Sequence, residues 1–199
     1  EYKGEQNLFI EAQADTLTQL VEIAKIQSTE ASNKIEGIYT SDARLKALVK
    51  DKTTPKTRNE REIAGYRDVL KTIHESHDYI DVSPNHILQL HRDLLKRAGF
   101  TYSGHFKNTQ NYIKETKLDG TEVVRFTPLA PYETPDAVGM ICRSFSETLA
   151  MENVDPLILI PAFICDFLCI HPFNDGNGRM SRLLTLLLLY KSGYEVGKY

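Results

Sequence analysis

Two apolar runs near the C-terminus, "PLILIPAFICDFLCI" (156–170) and "LLTLLLLY" (183–190), constrain this chain more than anything else in it. Runs of that length are buried in most folds, so they predict two core helices, Asp155 to Ile170 and Arg182 to Gly193. Asp155-Pro156 supplies a cap and a favoured first residue for one, and Gly193 closes the other. The first run is too short to cross a bilayer and contains Asp166. Between the runs lies "HPFNDGNGRMSR" (171–182), polar and glycine-broken. Such material between two core helices is either a capped turn or a site.

The rest of the chain supports one helical domain. At 199 residues with 41% hydrophobic content it can bury a substantial core. A net charge of -3 and a pI near 6.1 argue against a protein that coats nucleic acid. Neither a signal peptide nor a membrane span is visible, so a cytoplasmic protein with no membrane partner is expected. Cys142, Cys165 and Cys169 read as small buried residues in a reducing compartment. "HESH" (74–77) lacks the spacing of a zinc helix, and no metal is assigned to it. The chain begins at Glu1 and ends in "EVGKY", which reads as a fragment.

Helical periodicity runs through most of it. The N-terminal third carries Leu17, Leu20, Val21 and Ala24, with Gly37 beyond, as one helix or two pieces. Ser41 can cap a short helix bearing Leu45, Leu48 and Val49. A polar, proline-broken loop spans 50–60, and Ile63, Leu70 and Ile73 mark the next helix. Pro84 opens and Gly99 follows a helix with Ile87, His91, Leu94 and Leu95 on one face. Thr134-Pro135 opens another, striped by Val138, Ile141, Phe145 and Leu149. One segment departs from this pattern. "NYIKETKLDGTEVVRF" (111–126) places β-formers on both sides of Asp119-Gly120 and predicts a β-hairpin. With no sheet to join, it must lean on the helical body, and its free edge could accept an extended peptide. A loop without such a role is the alternative. The expected fold class is therefore all-α, a helical bundle with a β-hairpin flap.

The residues of 171–182 can do specific chemistry together. Pro172 ends the first core helix and leaves His171 at its C-terminus. Gly176 and Gly178 allow a tight turn whose N–H groups run into the start of the next helix, a place that attracts phosphate. Arg179 and Arg182 lie three apart on the first turn, so both guanidinium groups can reach one anion. Asp175 has the wrong sign for an anion cradle unless it holds Mg²⁺ shared with phosphate oxygens. His171, ordinarily titrating near pH ~6.5, can take a proton from a hydroxyl. Base, metal carboxylate, anion nest and arginines make a phosphoryl- or nucleotidyl-transfer site. A capped turn with a satisfied core histidine is the plainer alternative.

"HPFNDGNGRMSR" resembles the Fic family motif HPFx(D/E)GNGRxxR, with every specified position filled. The resemblance implies a Fic-like helical bundle that transfers AMP from ATP to a hydroxyl of a target protein. It implies His171 as general base, Asp175 as the Mg²⁺ ligand, and Gly176, Asn177 and Gly178 as the anion hole. Arg179 and Arg182 would bind the outer phosphates, and Phe173 would anchor the loop. "GHFKNTQNYI" (104–113) is similar to the family's lead into the flap, with Lys107 where arginine is more usual. That similarity implies Lys107, Asn111, Tyr112 and Ile113 as target-docking residues, within a flap near 107–127. In the family a further helix helps to enclose the adenine beyond the point where this sequence stops.

A second motif stands near the start. In "STEASNKIEGI", Ser32 and Glu36 share a helix face and Gly37 suits the position after its end. On pattern alone this is equally a solvated helix end. It resembles the family's inhibitory motif (S/T)xxxE(G/N), which implies that Ser32, Glu36 and Gly37 form an inhibitory element and that Glu36 pairs with Arg182. The organisation expected is then residues 1–50 as N-terminal helices carrying Ser32–Gly37, and 51–199 as the Fic core.

The leading expectation is an autoinhibited, Mg²⁺-dependent protein adenylyltransferase, with ATP and a Ser, Thr or Tyr hydroxyl as partners in the reaction. The acceptor belongs to another protein or to the chain itself, and a homo-oligomer is compatible with a helical surface. Two alternatives keep the same site: removal of AMP or transfer of another phosphate-linked group, and a nucleotide-sensing module without catalysis.

Overall fold

Each of the three residue-plus-proline pairs opens a helix in the structure, a computed structural model that describes residues 14–194, with side chains from Leu20 onward. Residues 1–13, expected to begin the N-terminal unit, and the closing 195–199 lie outside the described residues. The described residues form seven α-helices, a short 3₁₀ turn and one two-stranded sheet. The helices are α1 (Ala14–Ile35), α2 (Asp42–Val49), α3 (Arg58–Ser76), α4 (Pro84–Lys96), α5 (Thr134–Ala150), α6 (Pro156–Ile170) and α7 (Asn177–Lys191). Leu17, Leu20, Val21 and Ala24 all fall within the one helix α1.

Caps explain most boundaries. Thr57 accepts from the Glu60 N–H at the start of α3, Ser83 from His86 at α4, and Asp155 from Leu157 at α6. Ser41 makes no such bond at α2, and α5 starts at Thr134, whose hydroxyl donates to the Ala130 carbonyl instead. Helix α4 buries Ile87, Leu90, His91, Leu94 and Leu95. It packs tightly on α3 because Gly65 lies directly against the Leu94 carbonyl, where no Cβ would fit.

The main core joins Leu70 and Ile73 of α3, Leu94 of α4, Phe145 of α5, Phe163 and Phe167 of α6, and Leu184 and Leu188 of α7. A smaller cluster of Leu45, Leu48 and Ile63 ties α2 to α3. Helix α7 is buried as expected, but α6 is not buried all round. Ile160, Phe163, Phe167 and Ile170 face the core, while Leu157, Ile158, Cys165, Leu168 and Cys169 are exposed. The reason is that a helix apolar on every side carries no stripe to say which face packs. Of the three cysteines, only Cys142 is buried, and burial pushes its thiol up to about 11. No described helix is long and apolar enough to cross a membrane.

The hairpin pairs β1 (Ile113–Thr116) with β2 (Glu122–Phe126), antiparallel, with an irregularity between Ile113 and Lys114. Its turn is the expected one: Gly120 has φ 83° and Asp119 Oδ1 accepts from the Thr121 N–H. Almost every strand residue is exposed, so the hairpin does not lie down on the bundle. It is held at its root, where Gln110 donates to the Pro128 carbonyl and Asn111 to the Phe173 carbonyl.

Candidate active site

The turn between α6 and α7 is built from both sides. Helix α6 ends at His171 in a left-handed conformation, φ 51° and ψ 63°, with its N–H still bonded to the Phe167 carbonyl at 2.9 Å. That conformation costs a non-glycine residue roughly 1 kcal/mol and turns the imidazole off the helix axis. Phe173 is fully buried and stacks flat on His91 at 3.7 Å between ring centroids. Asn177 then knits the turn shut, accepting from the Phe173 N–H at 2.9 Å and donating to its carbonyl at 2.8 Å. The Asn177 side chain therefore faces inward, and only its backbone belongs to the α7 N-terminus. Gly176 stands before that helix at φ 86°.

His91, read from sequence only as part of an apolar stripe, proves central. Its Nδ1 accepts from the Gly104 N–H at 3.0 Å, so Nε2 carries the proton and donates to the Asp175 carbonyl at 3.0 Å. Burial pushes its pKa down to about 4, which keeps it neutral in this role. The side chain thus joins α4, the segment leading to the hairpin and the loop that carries Asp175. A histidine at a buried heptad-like position was the only signal for it.

Asp175 has a half-exposed carboxylate. Its Oδ1 accepts from the Gly176 N–H at 2.6 Å and lies 3.5 Å from Arg179 Nη2. Both contacts fall on Oδ1, which leaves Oδ2 without a hydrogen-bond partner among the described residues. No group of three or more His, Cys, Asp or Glu side chains among the described residues could enclose a metal. A single hard carboxylate oxygen facing a phosphate seat does fit Mg²⁺, which takes one or two protein carboxylates and completes its shell elsewhere.

The two arginines do not converge on one anion as the spacing suggested. Arg179 is buried, its Nη1 paired with Glu62 at 2.8 Å, and its Nε has no partner among the described residues. Glu62 itself lies on α3, and its second oxygen takes Arg58 at 3.1 Å. Arg182 stays at the surface and meets α1. Its Nε donates to Ser32 Oγ at 2.7 Å, and its Nη2 to the Ser32 carbonyl at 2.9 Å and Glu36 Oε1 at 2.7 Å. Gly37, at φ 72°, ends α1 just beyond. The Glu36 carboxylate lies so close over Gly178 that a Cβ there would collide with it. An acid therefore sits against the backbone where the sequence expects an anion.

Of the expected target-docking residues, Tyr112 and Ile113 are exposed, but Lys107 and Asn111 are turned inward. Lys107 is buried and donates to the Ile170 carbonyl, and Asn111 to that of Phe173. Both side chains are thus bonded to the backbone around the signature turn. The same contacts place the hairpin root directly beside His171. Burial holds the His171 pKa below its ordinary value, the Leu168 carbonyl raises it as an acceptor, nearby Lys107 lowers it, and Glu36 raises it. The imidazole is thus disposed to be the free base at neutral pH.

A helical bundle whose last two core helices present a histidine, a glycine turn and an arginine is a recognisable class. Residues 79–189 match the model of the Fic/DOC family, and the chain belongs to that family. "Protein adenylyltransferase fic-1" of Caenorhabditis elegans is 27% identical over 140 residues, covering 69% of this chain and 25% of that protein. Its counterpart in Caenorhabditis briggsae is 30% identical over 142 residues, with the same coverage. The chain thus spans about a quarter of the length of these relatives. Among solved structures, a Fic domain containing signaling protein from Bacteroides thetaiotaomicron superposes with a TM-score of 0.76 at 23% identity, covering 89% of this chain and 67% of the other.

Proposed function

We propose that this chain is the catalytic unit of a protein adenylyltransferase held in an inhibited state by α1. The observation that carries the reading is the place of Glu36: paired with Arg182 and lying over Gly178, beside a histidine disposed to be neutral. Family membership and the printed names of its relatives support AMP transfer over other chemistry on this site.

In this reading ATP lays its phosphates along Gly176–Gly178 and the start of α7, where the N–H groups at the first turn beyond Gly176 and the helix dipole favour negative charge. Arg182 serves the outermost phosphate, and Arg179, through Glu62 and Asp175, holds the loop in shape. Magnesium on Asp175 would offset phosphate charge. The hydroxyl of a target Ser, Thr or Tyr attacks the α-phosphorus in line. A new P–O bond forms, the bond to the bridging oxygen of the β-phosphate breaks, pyrophosphate leaves, and His171 takes the hydroxyl proton. Most of the acceleration comes from alignment and fixed positive charge. Tyr112, Ile113 and the exposed hairpin edge would align the target's backbone.

Glu36 occupies Arg182 and crowds the seat, so ATP could not adopt this pose until α1 moves. Glu36 makes one of the three bonds to Arg182, and a hydrogen bond between charged groups is worth about 1.5–3 kcal/mol, or about ten- to hundredfold in rate. With α-labelled ATP and Mg²⁺, Glu36→Gly should therefore incorporate about ten to a hundred times more AMP into itself or a target than the wild type. His171→Ala in the same background should abolish labelling. Equal labelling by wild type and Glu36→Gly would remove the inhibitory role, and labelling by γ-phosphate alone would remove adenylyl transfer.

A further inference from the structure

Lys107 presents a problem that the proposed reaction does not use. It lies in the segment leading into the hairpin, it is 3% exposed, and burial alone pulls its ammonium below the usual lysine range. No carboxylate pairs with it among the described residues. Its Nζ donates to the Ile170 carbonyl at 2.9 Å, and its backbone N–H donates to the Pro172 carbonyl at 2.8 Å. Those are the residues on either side of His171. A lysine fixed at both ends around one residue, with its charge set on the last carbonyl of α6, is more than a filler of space. A methionine would pack there without the cost of burying charge.

The location also matters electrically. The C-terminal end of a helix carries partial negative charge and stabilises an imidazolium. A base placed there would tend to hold its proton and lose its use at neutral pH. The groups facing His171 are Lys107 from the hairpin lead, Glu36 from the end of α1, and the Leu168 carbonyl of α6 itself. Burial is the largest influence and opposes the proton; of the three groups, the Leu168 carbonyl and Glu36 favour it, and Lys107 is the one that acts with burial.

We propose that Lys107 is a positioning residue for His171: its two bonds fix the left-handed turn that aims the imidazole, and its charge, set against the end of α6, adds to burial in keeping a proton off the ring. The inference rests on His171 being the base of the proposed transfer. It also gives the inhibitory contact a second consequence. When Glu36 leaves, the ring loses the only carboxylate that faces it among the described residues while Lys107 stays, so the motion that frees Arg182 also makes the base freer.

The test is an NMR pH titration of ¹³C-labelled histidines, with His171 assigned by comparison with His171→Ala. The wild-type midpoint should fall below the ordinary ~6.5. Lys107→Met and Lys107→Gln should raise it by about one pH unit, and Lys107→Arg should leave it nearly unmoved. Glutamine keeps a donor for the Ile170 carbonyl without the charge, and it serves if methionine prevents folding. In the Glu36→Gly background, the acid limb of AMP transfer should move up by a similar amount for both neutral variants. A wild-type midpoint above ~6.5, or an unmoved midpoint in a folded neutral variant, overturns the inference. A midpoint that moves as expected while Glu36→Gly transfers no AMP at any pH overturns the adenylyl-transfer reading instead.

Discussion

Arg179 and Arg182 sit one turn apart at the start of α7, each paired with a glutamate from an earlier helix, yet the two pairs are physically different. In the Arg179–Glu62 pair the side chains are 1% and 3% exposed; in Arg182–Glu36 they are 32% and 35% exposed. A dry pair is nearly impossible to open, because each partner left behind would be an unmet buried charge. A wet pair opens cheaply, since water takes both ends. The surroundings repeat the contrast. Glu62 belongs to α3, which is embedded in the core, whereas α1 buries only polar side chains among its described residues: Thr29, Ser32 and Asn33. Thr29 Oγ1 and Asn33 Oδ1 have no partner among the described residues. One glutamate is a buried strut for the loop, and in the proposed reading the other is a latch at the end of a weakly seated helix.

The largest effect should come from the strut. Glu62→Ala strands Arg179 and should cost about 3–5 kcal/mol, lowering Tm by roughly 10 °C in thermal unfolding. Glu36→Gly, by contrast, should lower Tm by roughly 5 °C, about half as much, while raising AMP transfer as described above. Similar losses of Tm from the two variants would erase the distinction between strut and latch.

Sequence pattern reaches the latch more readily than the strut, for a physical reason. Ser32 in the last turn of α1 and Glu36 just past its end announce themselves by spacing, and a resemblance named Arg182 as the partner of Glu36, 146 residues away. Glu62 is one acid among several on α3, and nothing local to it points to Arg179, 117 residues on. The caps, the prolines and Asp119-Gly120 speak for elements whose signals are local, so the helices and the hairpin were legible. Lys107 and Asn111 were not, since the same polar side chain can face a partner or a carbonyl, and only packing decides. The exposed face of α6 escaped for the opposite reason: uniform apolarity carries no direction.

A smaller effect isolates one strand of the latch. Ser32→Ala removes the hydroxyl that accepts from Arg182 Nε but keeps the backbone carbonyl and Glu36 in place. About 0.5–1.5 kcal/mol is lost, so basal AMP transfer should rise only a few-fold, well short of Glu36→Gly. A rise equal to that of Glu36→Gly would mean that the serine, not the carboxylate, holds α1.

Salt should give the smallest effect, and it separates the pairs without mutation. Screening shortens from about 10 Å at 0.1 M to about 3 Å at 1 M and acts on exposed charges far more than on buried ones. Raising NaCl from ~0.1 to ~0.5 M should lift wild-type AMP transfer about twofold relative to Glu36→Gly measured in the same buffers. The ratio matters because salt weakens ATP binding in both proteins alike, whereas only the wild type has a latch to loosen. Over the same range the Tm deficit of Glu62→Ala should stay constant, since water never reaches Arg179. A ratio that does not move, together with a Tm deficit that shrinks, would mean the exposures had been assigned to the wrong roles, and Arg179 rather than Arg182 would be the arginine that opens.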